Sequence, residues 1–327
     1  MTPMTEPAAV SAVTGGDVTV RRLEERDLPA ADHVFRLAFG TMRGLPDPTR
    51  FAEGAELLRC RFAAGSGAAF AAEVDGEIVG TAFVTRWGSF AIFGPLAIHP
   101  AHWDSGIGQR LWAARLPLLD EWGVTHASLF TAPQSTKHLH LYEKFGFWPR
   151  FLTALTAKPV TAAGGRAVER LSELADGERN ELVERCRALT DAIYPGLDVG
   201  REIRVVVERN VGDVVYVLDD EGLAGFAVCH AGEGSEAVAG TCYVKFAAAR
   251  PGAGADARFD RLLEAVEELA ATSGVTRLEA GVNLARRDAF RVLAARGYRA
   301  FLHGVAMHRP NEDAYDRPDV FVVDDRR

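Results

Sequence analysis

The sequence predicts an α/β (α+β) chain made of two copies of one domain. Its 327 residues are about twice the length of an ordinary domain of about 150 residues. From Val18 onward, short β-like runs alternate with longer helix-like runs, and this order starts again after a Pro/Gly/Ala-rich stretch at 159–166. Hydrophobic residues at 48% and charged residues at 25% are typical of a soluble globular protein. The 32 Gly and 15 Pro residues are too few for a low-complexity or collagen-like chain.

Local signals position the elements of the first copy. Asp27 is an N-cap residue ahead of a helical run. Asp75-Gly76 is a dipeptide favoured in tight hairpin turns, and Pro117 is expected to kink the helix that contains it. The predicted elements are a strand at 18–23, a helix after Asp27, a helix at 51–62, strands at 69–74, 78–85 and 90–98, a helix at 107–122, a strand at 127–131, a helix at 136–145 and a strand at 147–157.

The second copy repeats this order with a constant offset of 151 residues. The matching pairs are Gly-Val-Thr at 123–125 and 274–276, Gly146 and Gly297 with the aromatic residue after each, Pro100 and Pro251, and Leu111 and Leu262. Four matches in one register indicate duplication of a domain. The predicted elements are helices at 178–189 and 202–209, strands at 214–218, 223–230 and 238–248, a helix at 257–272, a strand at 277–282, a helix at 287–296 and a strand at 298–308.

These patterns divide the chain into segments. We expect a disordered leader at 1–17, a first copy at 18–158, a linker at 159–166, a second copy at 167–310 and an exposed extension at 311–327.

Charge and cysteine usage exclude several functions. The net charge of −8 argues against a nucleic-acid partner. No apolar run approaches the roughly 18 residues that a membrane span needs, and the N-terminus lacks the basic residue of a signal peptide. Cys60, Cys186, Cys229 and Cys242 are scattered without zinc-ligand spacing. We therefore expect buried reduced thiols, no metal, no membrane partner and a cytoplasmic location.

The most informative stretch is PLAIHPAHWDSGIGQRL at 95–111. A β-like run ends at His99-Pro100, a polar loop carries Gly106 and Gly108, and a helix follows. A helix N-terminus with glycines can bind an anion through free backbone N–H groups. An ordinary tight turn has the same pattern. A Rossmann fingerprint fits badly because its third glycine is replaced by Leu111, and the absence of Gly-Lys-Ser/Thr excludes a P-loop.

Residues 18–158 resemble the GNAT superfamily of N-acetyltransferases in element order and in two motifs. The Arg/Gln-x-x-Gly-x-Gly/Ala signature is matched at Trp103, Gly106 and Gly108, and LYEKFGF at 141–147 matches the family's helix-to-strand segment. With the duplication, the chain resembles a tandem two-domain member. The resemblance implies two tandem GNAT-like acyl-CoA N-acyltransferase domains, each a mixed, mostly antiparallel sheet flanked by helices.

The resemblance also implies acetyl-CoA as co-substrate. Backbone groups at 97–99 would bind the pantetheine arm and N–H groups at 104–109 the pyrophosphate. Tyr142 matches the family's general acid, which protonates the departing thiolate; a packed core tyrosine is the alternative. The residues implied at the cofactor are Ala97, Ile98, His99, Trp103, Asp104, Ser105, Gly106, Ile107, Gly108, Gln109, Ser135 and His138.

Several positions depart from the family pattern. Trp103 replaces the usual Arg or Gln and removes a polar group from the loop, so the loop must be closed in another way or the affinity falls. Asp104 stands where Gly is common. Ser135 and His138 replace Asn and Ala, and 90–98 contains no Glu to serve as base. His138 is a candidate base because a neutral imidazole accepts a proton near neutral pH; a solvent-facing histidine is the alternative, and a water chain would need no base.

The second copy lacks parts of this motif in the same register. At the 151 offset, Gly106 corresponds to Ala257, Gly108 to Phe259 and Tyr142 to Leu293. We expect Phe259 to obstruct a CoA site, although Gly252 and Gly254 could supply a shifted cradle. The second copy is therefore predicted to be degenerate.

The sequence thus predicts an acetyl-CoA-dependent N-acetyltransferase, active in the first copy, in which a primary amine attacks the thioester directly. The acceptor would be a small-molecule or peptide amine, and the protein a monomer or homodimer. The alternatives are a non-catalytic acyl-CoA sensor or interaction protein, transfer of a longer acyl group, and a hydroxyl acceptor.

Overall fold

The fold is taken from a computed structural model that describes residues 18–65, 67–161, 164–165 and 167–326. The leader predicted at 1–17 and residues 162, 163 and 166 of the predicted linker lie outside this part of the chain.

The elements of the first copy follow the predicted order. They are strand β1 (Thr19–Arg22), helix α1 (Leu28–Met42), helix α2 (Leu57–Ala64), strands β2 (Gly67–Val74), β3 (Glu77–Trp87) and β4 (Phe90–Ile98), helices α3 (Ile107–Arg115) and α4 (Pro117–Glu121), strand β5 (His126–Thr131), helix α5 (Thr136–Glu143) and strand β6 (Trp148–Pro159). The break between α3 and α4 confirms the effect expected of Pro117. The helix predicted at 51–62 starts late, because Ala52 and Gly54 have positive φ values of 52° and 85° that a helix excludes.

The predicted elements of the second copy are present in the predicted order, and the structure adds a short strand before the first helix and another after the last predicted strand. In chain order, the elements are strand β7 (Glu169–Arg170), helices α6 (Asp176–Ile193) and α7 (Gly200–Glu208), strands β8 (Gly212–Asp219), β9 (Gly222–Ala231) and β10 (Thr241–Ala249), helix α8 (Ala255–Thr272), strand β11 (Arg277–Asn283), helix α9 (Arg287–Ala295), and strands β12 (Arg299–Arg309) and β13 (Val322–Val323). Four pairs of elements start 151 residues apart in the sequence: β4 and β10, β5 and β11, α5 and α9, and β6 and β12.

The chain forms two compact units. Unit 1 comprises the residues up to Phe51 with Ala69–Phe83 and Pro95–Leu116, and unit 2 comprises Ala52–Ala68, Val84–Gly94 and Pro117–Arg327. In unit 1, β1 pairs antiparallel with β2, and Arg21 bridges Asp27 and Glu73 with N–O distances of 2.6 Å to each. The units do not coincide with the predicted copies, so the division at 159–166 stays a prediction about the repeat.

The sheet of unit 2 has the strand order β5-β12-β6-β11-β10-β9-β8-β7. The pairs β4–β5 and β10–β11 are parallel, and the other registered pairs are antiparallel. This is the mixed, mostly antiparallel sheet that the resemblance implied. Alternate residues of β8, β9 and β10 face two buried clusters, one shared with α6 and α7 and the other with α8.

The two copies exchange their last long strands within this sheet. β12 of the second copy pairs with β5 of the first, and β6 of the first copy pairs with β11 of the second. The exchange is symmetric. In one exchange Val305 pairs with Thr131, and in the other Ala154 pairs with Val282, which are the residues that correspond to Val305 and Thr131 at the offset of 151. Each predicted copy, 18–158 or 167–310, therefore needs a strand of the other copy to complete its sheet.

The extension predicted to be exposed at 311–327 is largely buried, and that prediction was wrong. Residues 320–326, called the closing segment below, are all buried, with β13 paired to β10. Two of its charged residues, Asp324 and Arg326, form ion pairs inside the protein, and Asp325 accepts a hydrogen bond from the Tyr243 hydroxyl at 3.0 Å. Arg286 and Arg326 both bind Asp316 and Asp324, with N–O distances of 2.8–3.4 Å. The segment is buried through its apolar run Val320–Val323, whereas the prediction of an exposed extension relied on the acidic residues around that run.

The four cysteines and three histidines (His126, His230 and His308) are buried in the described structure. All four cysteines are unpaired, as predicted. Burial lowers the pKa of His230 to about 4 and, with the nearby charges of His308 and Arg326, lowers the pKa of His126 to about 3. Both side chains are therefore neutral in the folded protein near pH 7.

We expect the free energy of unfolding to decrease as the pH falls from about 6.5 to 4.5. The unfolded chain takes up protons at His126 and His230 in this range, whereas the folded chain resists protonation. The stability that these depressed pKa values provide is complete above pH 6.5, and each histidine accounts for a loss of about 2 kcal/mol at pH 4.5. Urea unfolding of the protein and of His230→Gln at both pH values measures the difference; an equal pH dependence in the two proteins would contradict it.

Candidate active site

The loop after β4 is shaped by hydrogen bonds between side chains and backbone. His99 Nδ1 accepts from the Ala101 N–H at 3.2 Å, and Ser105 Oγ donates to the His102 carbonyl at 2.6 Å. Burial, and to a smaller extent His102, lowers the pKa of His99, so its ring is neutral near pH 7 and can act as an acceptor. The His99 amide donates to the Val79 carbonyl at 2.8 Å, towards β3.

Trp103 closes this loop in place of the usual Arg or Gln. Its indole Nε1 donates to the Ile98 carbonyl at 2.8 Å, although the residue is 39% exposed. Of the two consequences expected of Trp103, the structure shows a loop that is closed in another way, because the indole N–H makes this hydrogen bond. Next to it, Asp104 has a φ of 63°, which bends the chain towards the helix.

The helix α3 begins at a glycine whose conformation other residues rarely adopt. Gly106 is the N-cap residue, with a φ of 82°. Its carbonyl accepts the amides of Gln109 at 3.1 Å and Arg110 at 3.2 Å, so these two N–H groups are used within the helix. The amides of Ile107 and Gly108 occupy the first turn, where intrahelical acceptors do not exist. A Cβ added at Gly106 would meet no atom within 4 Å, so the space beside the first turn is open. This geometry suits an anion.

We expect Gly106→Ala to weaken CoA binding by about 10-fold, because Ala at this φ costs about 1–2 kcal/mol and shifts the first turn. Titration calorimetry with CoA measures the change. Gly123→Ala is the matched control, since Gly123 has a φ of 63° with no atom within 4 Å of an added Cβ and lies outside the loop. Equal losses of affinity in both variants would contradict the role of Gly106.

The parallel pairing of β4 with β5 is short. It runs from Phe90↔His126 to Phe93↔Leu129 and stops there, although β4 continues to Ile98. The next residue, Gly94, has a φ of 154°, and its carbonyl accepts from Arg61 Nη1 at 2.9 Å. Ala97 is buried in the continuation of the strand.

The other predicted residues lie on α5. Tyr142 is 9% exposed, and its ring is stacked with that of His138 at a centroid separation of 6.2 Å and an interplanar angle of 21°. Burial, with a smaller contribution from Lys137, lowers the pKa of His138, so its imidazole is neutral near pH 7. Ser135 is the N-cap residue but makes no side-chain cap hydrogen bond. Gly146, with a φ of 80°, provides the turn into β6.

The predicted site residues thus form two groups. Ala97–Gln109 form one continuous strand, loop and helix start in unit 1, and Ser135, His138 and Tyr142 lie along one short helix in unit 2.

The second copy keeps a helix start of the same kind, which corrects the expected alignment. Gly254 is the N-cap residue of α8, with a φ of 75°. The stretch from Pro251 to Gly254 is three residues shorter than that from Pro100 to Gly106. Gly254 is therefore the counterpart of Gly106. The offset of 151 fails in this loop and at the start of the helix, where Leu111 corresponds to Phe259 and not to Leu262.

Phe259 was wrongly expected to obstruct a phosphate. It lies one turn inside α8, fully buried in the core cluster. The expectation for Leu293 is confirmed, since α9 starts 151 residues after α5 and Leu293 is buried where the first copy has Tyr142.

A buried ion cluster in unit 2 was missed by the sequence analysis. Lys245 contacts Glu236 closely and Glu202 at 3.5 Å, and Arg61 lies 3.6 Å from Glu236. Burial raises the pKa of Glu236, but Lys245 and Arg61 outweigh it and hold the pKa at about 2. A single Lys within the apolar run of β10 was the signal that could have indicated a buried pair.

Residues 35–147 match the model of the Acetyltransferase (GNAT) family. Over these 113 of its 327 residues the chain is similar to a GNAT domain. None of the curated proteins compared with it is similar enough to count as a match.

Solved structures extend the GNAT fold over both copies. A putative acetyltransferase from Pyrococcus horikoshii is 15% identical, with a TM-score of 0.65 and 93% of each chain covered. A GCN5-related N-acetyltransferase from Sphaerobacter thermophilus is 18% identical, with a TM-score of 0.55 over 89% of this chain and 95% of that chain. A tandem GNAT protein from the clavulanic acid biosynthesis pathway is 13% identical, with a TM-score of 0.52 over 89% of this chain and 98% of that chain.

The family matched over residues 35–147 is one of acetyltransferases. Among the described residues, no three His, Cys, Asp or Glu side chains are grouped so that they could hold a metal ion. In the same part of the chain, no helix combines the length and apolar character that crossing a membrane requires.

Proposed function

We propose that the chain is an acetyl-CoA-dependent N-acetyltransferase that acetylates a primary amine, with its active site in the first copy. The start of α3 carries this proposal. A helix capped by Gly106 follows directly on β4, whose pairing with β5 ends at Phe93. Such an edge offers hydrogen-bonding groups to an extended ligand, and the helix start offers amides to its phosphates.

The residues present fit CoA. The backbone of Ala97 and Ile98 would hold the pantetheine arm, and the amides of Ile107 and Gly108 would hold the pyrophosphate beside the open space at Gly106. Bound acetyl-CoA supplies the thioester carbonyl that the amine attacks. Since the chain has a net charge of −8, this binding rests on local amides rather than on overall charge.

Two side chains of α5 would move the protons. The amine nitrogen forms a bond to the thioester carbon, and collapse of the tetrahedral adduct breaks the carbon–sulfur bond. The Tyr142 hydroxyl donates a proton to the departing sulfur. His138, neutral near pH 7, accepts the proton that the amine loses. The adjacent rings on one helix face support this division of roles.

The first copy is favoured because the second has no hydroxyl at the corresponding position of α9. Leu293 can pack there but cannot donate a proton to a thiolate.

Screening a panel of primary amines with acetyl-CoA and detecting the released thiol tests the proposal. We expect turnover with at least one class of small-molecule or peptide amine. Tight binding of acetyl-CoA without thiol release across all classes would favour the acyl-CoA sensor instead. Replacing acetyl-CoA by octanoyl-CoA in parallel reactions tests the acyl-chain length, and a matching panel of alcohols tests a hydroxyl acceptor.

A further inference from the structure

The closing segment lies where the sheet of the second copy opens. The parallel pairing of β10 with β11 ends at Val244↔Ala280, although β10 continues to Ala249 and β11 to Asn283. Beyond that point β10 pairs antiparallel with β13 of the closing segment, with Ala247 opposite Val323.

The closing segment is bonded to both separated strands. On one side, the Ala249 amide donates to the Phe321 carbonyl at 3.0 Å. On the other side, the Asp324 amide donates to the Gly281 carbonyl of β11 at 2.9 Å. A Cβ on Gly281 would overlap the Asp325 side chain, so the segment passes against a position with no side chain. The segment therefore occupies the gap between β10 and β11 as an inserted strand.

The repeat shows what this gap corresponds to in the first copy. At the offset of 151, Val244 and Ala280 correspond to Phe93 and Leu129, where the pairing of β4 with β5 ends. The stretch 247–249 corresponds to 96–98, which includes the backbone proposed above to bind the pantetheine arm. The second copy thus uses part of its own chain at the edge that the first copy offers to the cofactor.

The remaining cofactor-binding features persist in the second copy. Gly254 caps α8 as Gly106 caps α3, and a Cβ at Gly252, whose φ is 105°, would meet no atom within 4 Å. Arg258, at the same distance from its N-cap residue as Arg110, folds back over this loop and donates to the Ala253 carbonyl at 2.9 Å. A helix start suited to phosphate is therefore present beside the occupied edge.

We propose that the second copy contains a second acyl-CoA cleft, which the closing segment fills as a built-in occupant. Displacing the segment gives the protein a second site for CoA. This inference rests on the proposed function of the first copy, since the backbone edge is assigned by comparison with it. The ion pairs of Arg326 with Asp316 and of Asp324 with Arg286 hold the occupant in place.

Counting CoA molecules bound at saturation tests the proposal. We compare the whole chain, a chain ending at Asp319, and a control that lacks only Arg327, using equilibrium dialysis with unacylated CoA. The whole chain and the control are expected to bind one equivalent and the shortened chain two. A peptide of sequence 320–326 added to the shortened chain is expected to restore one equivalent. The same number of equivalents in the whole chain and in the folded shortened chain would overturn the proposal.

Two further measurements apply if the shortened chain does not fold. Gly281→Ala is expected to eject the segment by overlap with Asp325 and to raise binding to two equivalents. In the unaltered chain, hydrogen exchange at saturating CoA is expected to slow at 95–110 and to stay unchanged at 246–258; slowing at 246–258 would overturn the proposal. If the whole chain binds no CoA and the displaced chain binds one equivalent, the inference stands and the proposed function of the first copy fails.

Discussion

Replacing Tyr142 by Phe is expected to lower kcat for acetyl transfer by about 10²- to 10⁴-fold, the usual contribution of a general acid. The ring that packs on His138 remains, so the fold and the affinity for CoA should be unchanged. Only the proton that neutralises the departing thiolate is lost. Steady-state kinetics with the best amine of the panel, together with calorimetry for CoA, measures both quantities.

His140→Ala is the matched control for this substitution. His140 lies on the same helix, but its side chain is exposed and lies 4.0 Å from Glu143. Its removal is expected to leave kcat within about twofold of the unaltered enzyme, as is usual for an exposed side chain away from a site. An unchanged kcat in Tyr142→Phe would remove the acid role and leave Tyr142 as a packing residue.

Asp316→Ala is expected to lower the free energy of unfolding by about 3–5 kcal/mol, the range for breaking a buried ion pair. Asp316 accepts from Arg286 Nε and from Arg326 Nη2, each at 2.9 Å, and all three side chains are almost fully buried. Burial raises the pKa of Asp316, but Arg326 and Arg286 outweigh it and hold the pKa well below its usual range. Without the Asp316 carboxylate, the buried guanidinium groups of Arg286 and Arg326 have fewer negative charges nearby to balance their own.

Asp313→Ala is the comparison for this loss, because Asp313 pairs with Arg150 at the surface. Exposed pairs contribute about 0–1 kcal/mol. Urea unfolding of both variants at pH 7 measures the difference. Similar unfolding midpoints for the two would contradict the structural role of the buried network.

The sequence predicted the repeat well because glycines fix the turns of both copies. Gly146 and Gly297 adopt φ values of 80° and 90° after matching helices, and the elements around them start 151 residues apart. The same register failed at the cofactor loop, since a three-residue deletion before Gly254 shifts the helix start without changing the hydrophobic pattern of α8. A fixed offset cannot reveal a deletion that lies between its matches.

Two features lay beyond sequence reasoning for different physical reasons. The alternation of residues in β6 and β12 indicates strands but does not specify their partners, so the exchange could not be predicted. The burial of 320–326 could not be predicted, because charged residues such as Asp324 and Arg326 are expected to be exposed to solvent. In the structure they are buried as ion pairs with Arg286 and Asp316. For the candidate site, the loop and the helix that carries Tyr142 lie on the elements that the sequence predicted. The hydrogen bond from Arg61 to the Gly94 carbonyl could not be predicted, because it depends on tertiary packing.

The exchanged strands also constrain the order in which the protein can fold during synthesis. The pairing of β5 with β12 cannot form until Val305 has been synthesised, because Val305 pairs with Thr131 and lies more than half the chain after it. The edge of β5 therefore stays open while most of the second copy is still being made, and such edges are prone to pair with other chains. Closure over so long a separation is intrinsically slow. The tandem arrangement makes the late partner a tethered one, so its effective concentration does not depend on how much protein the cell contains.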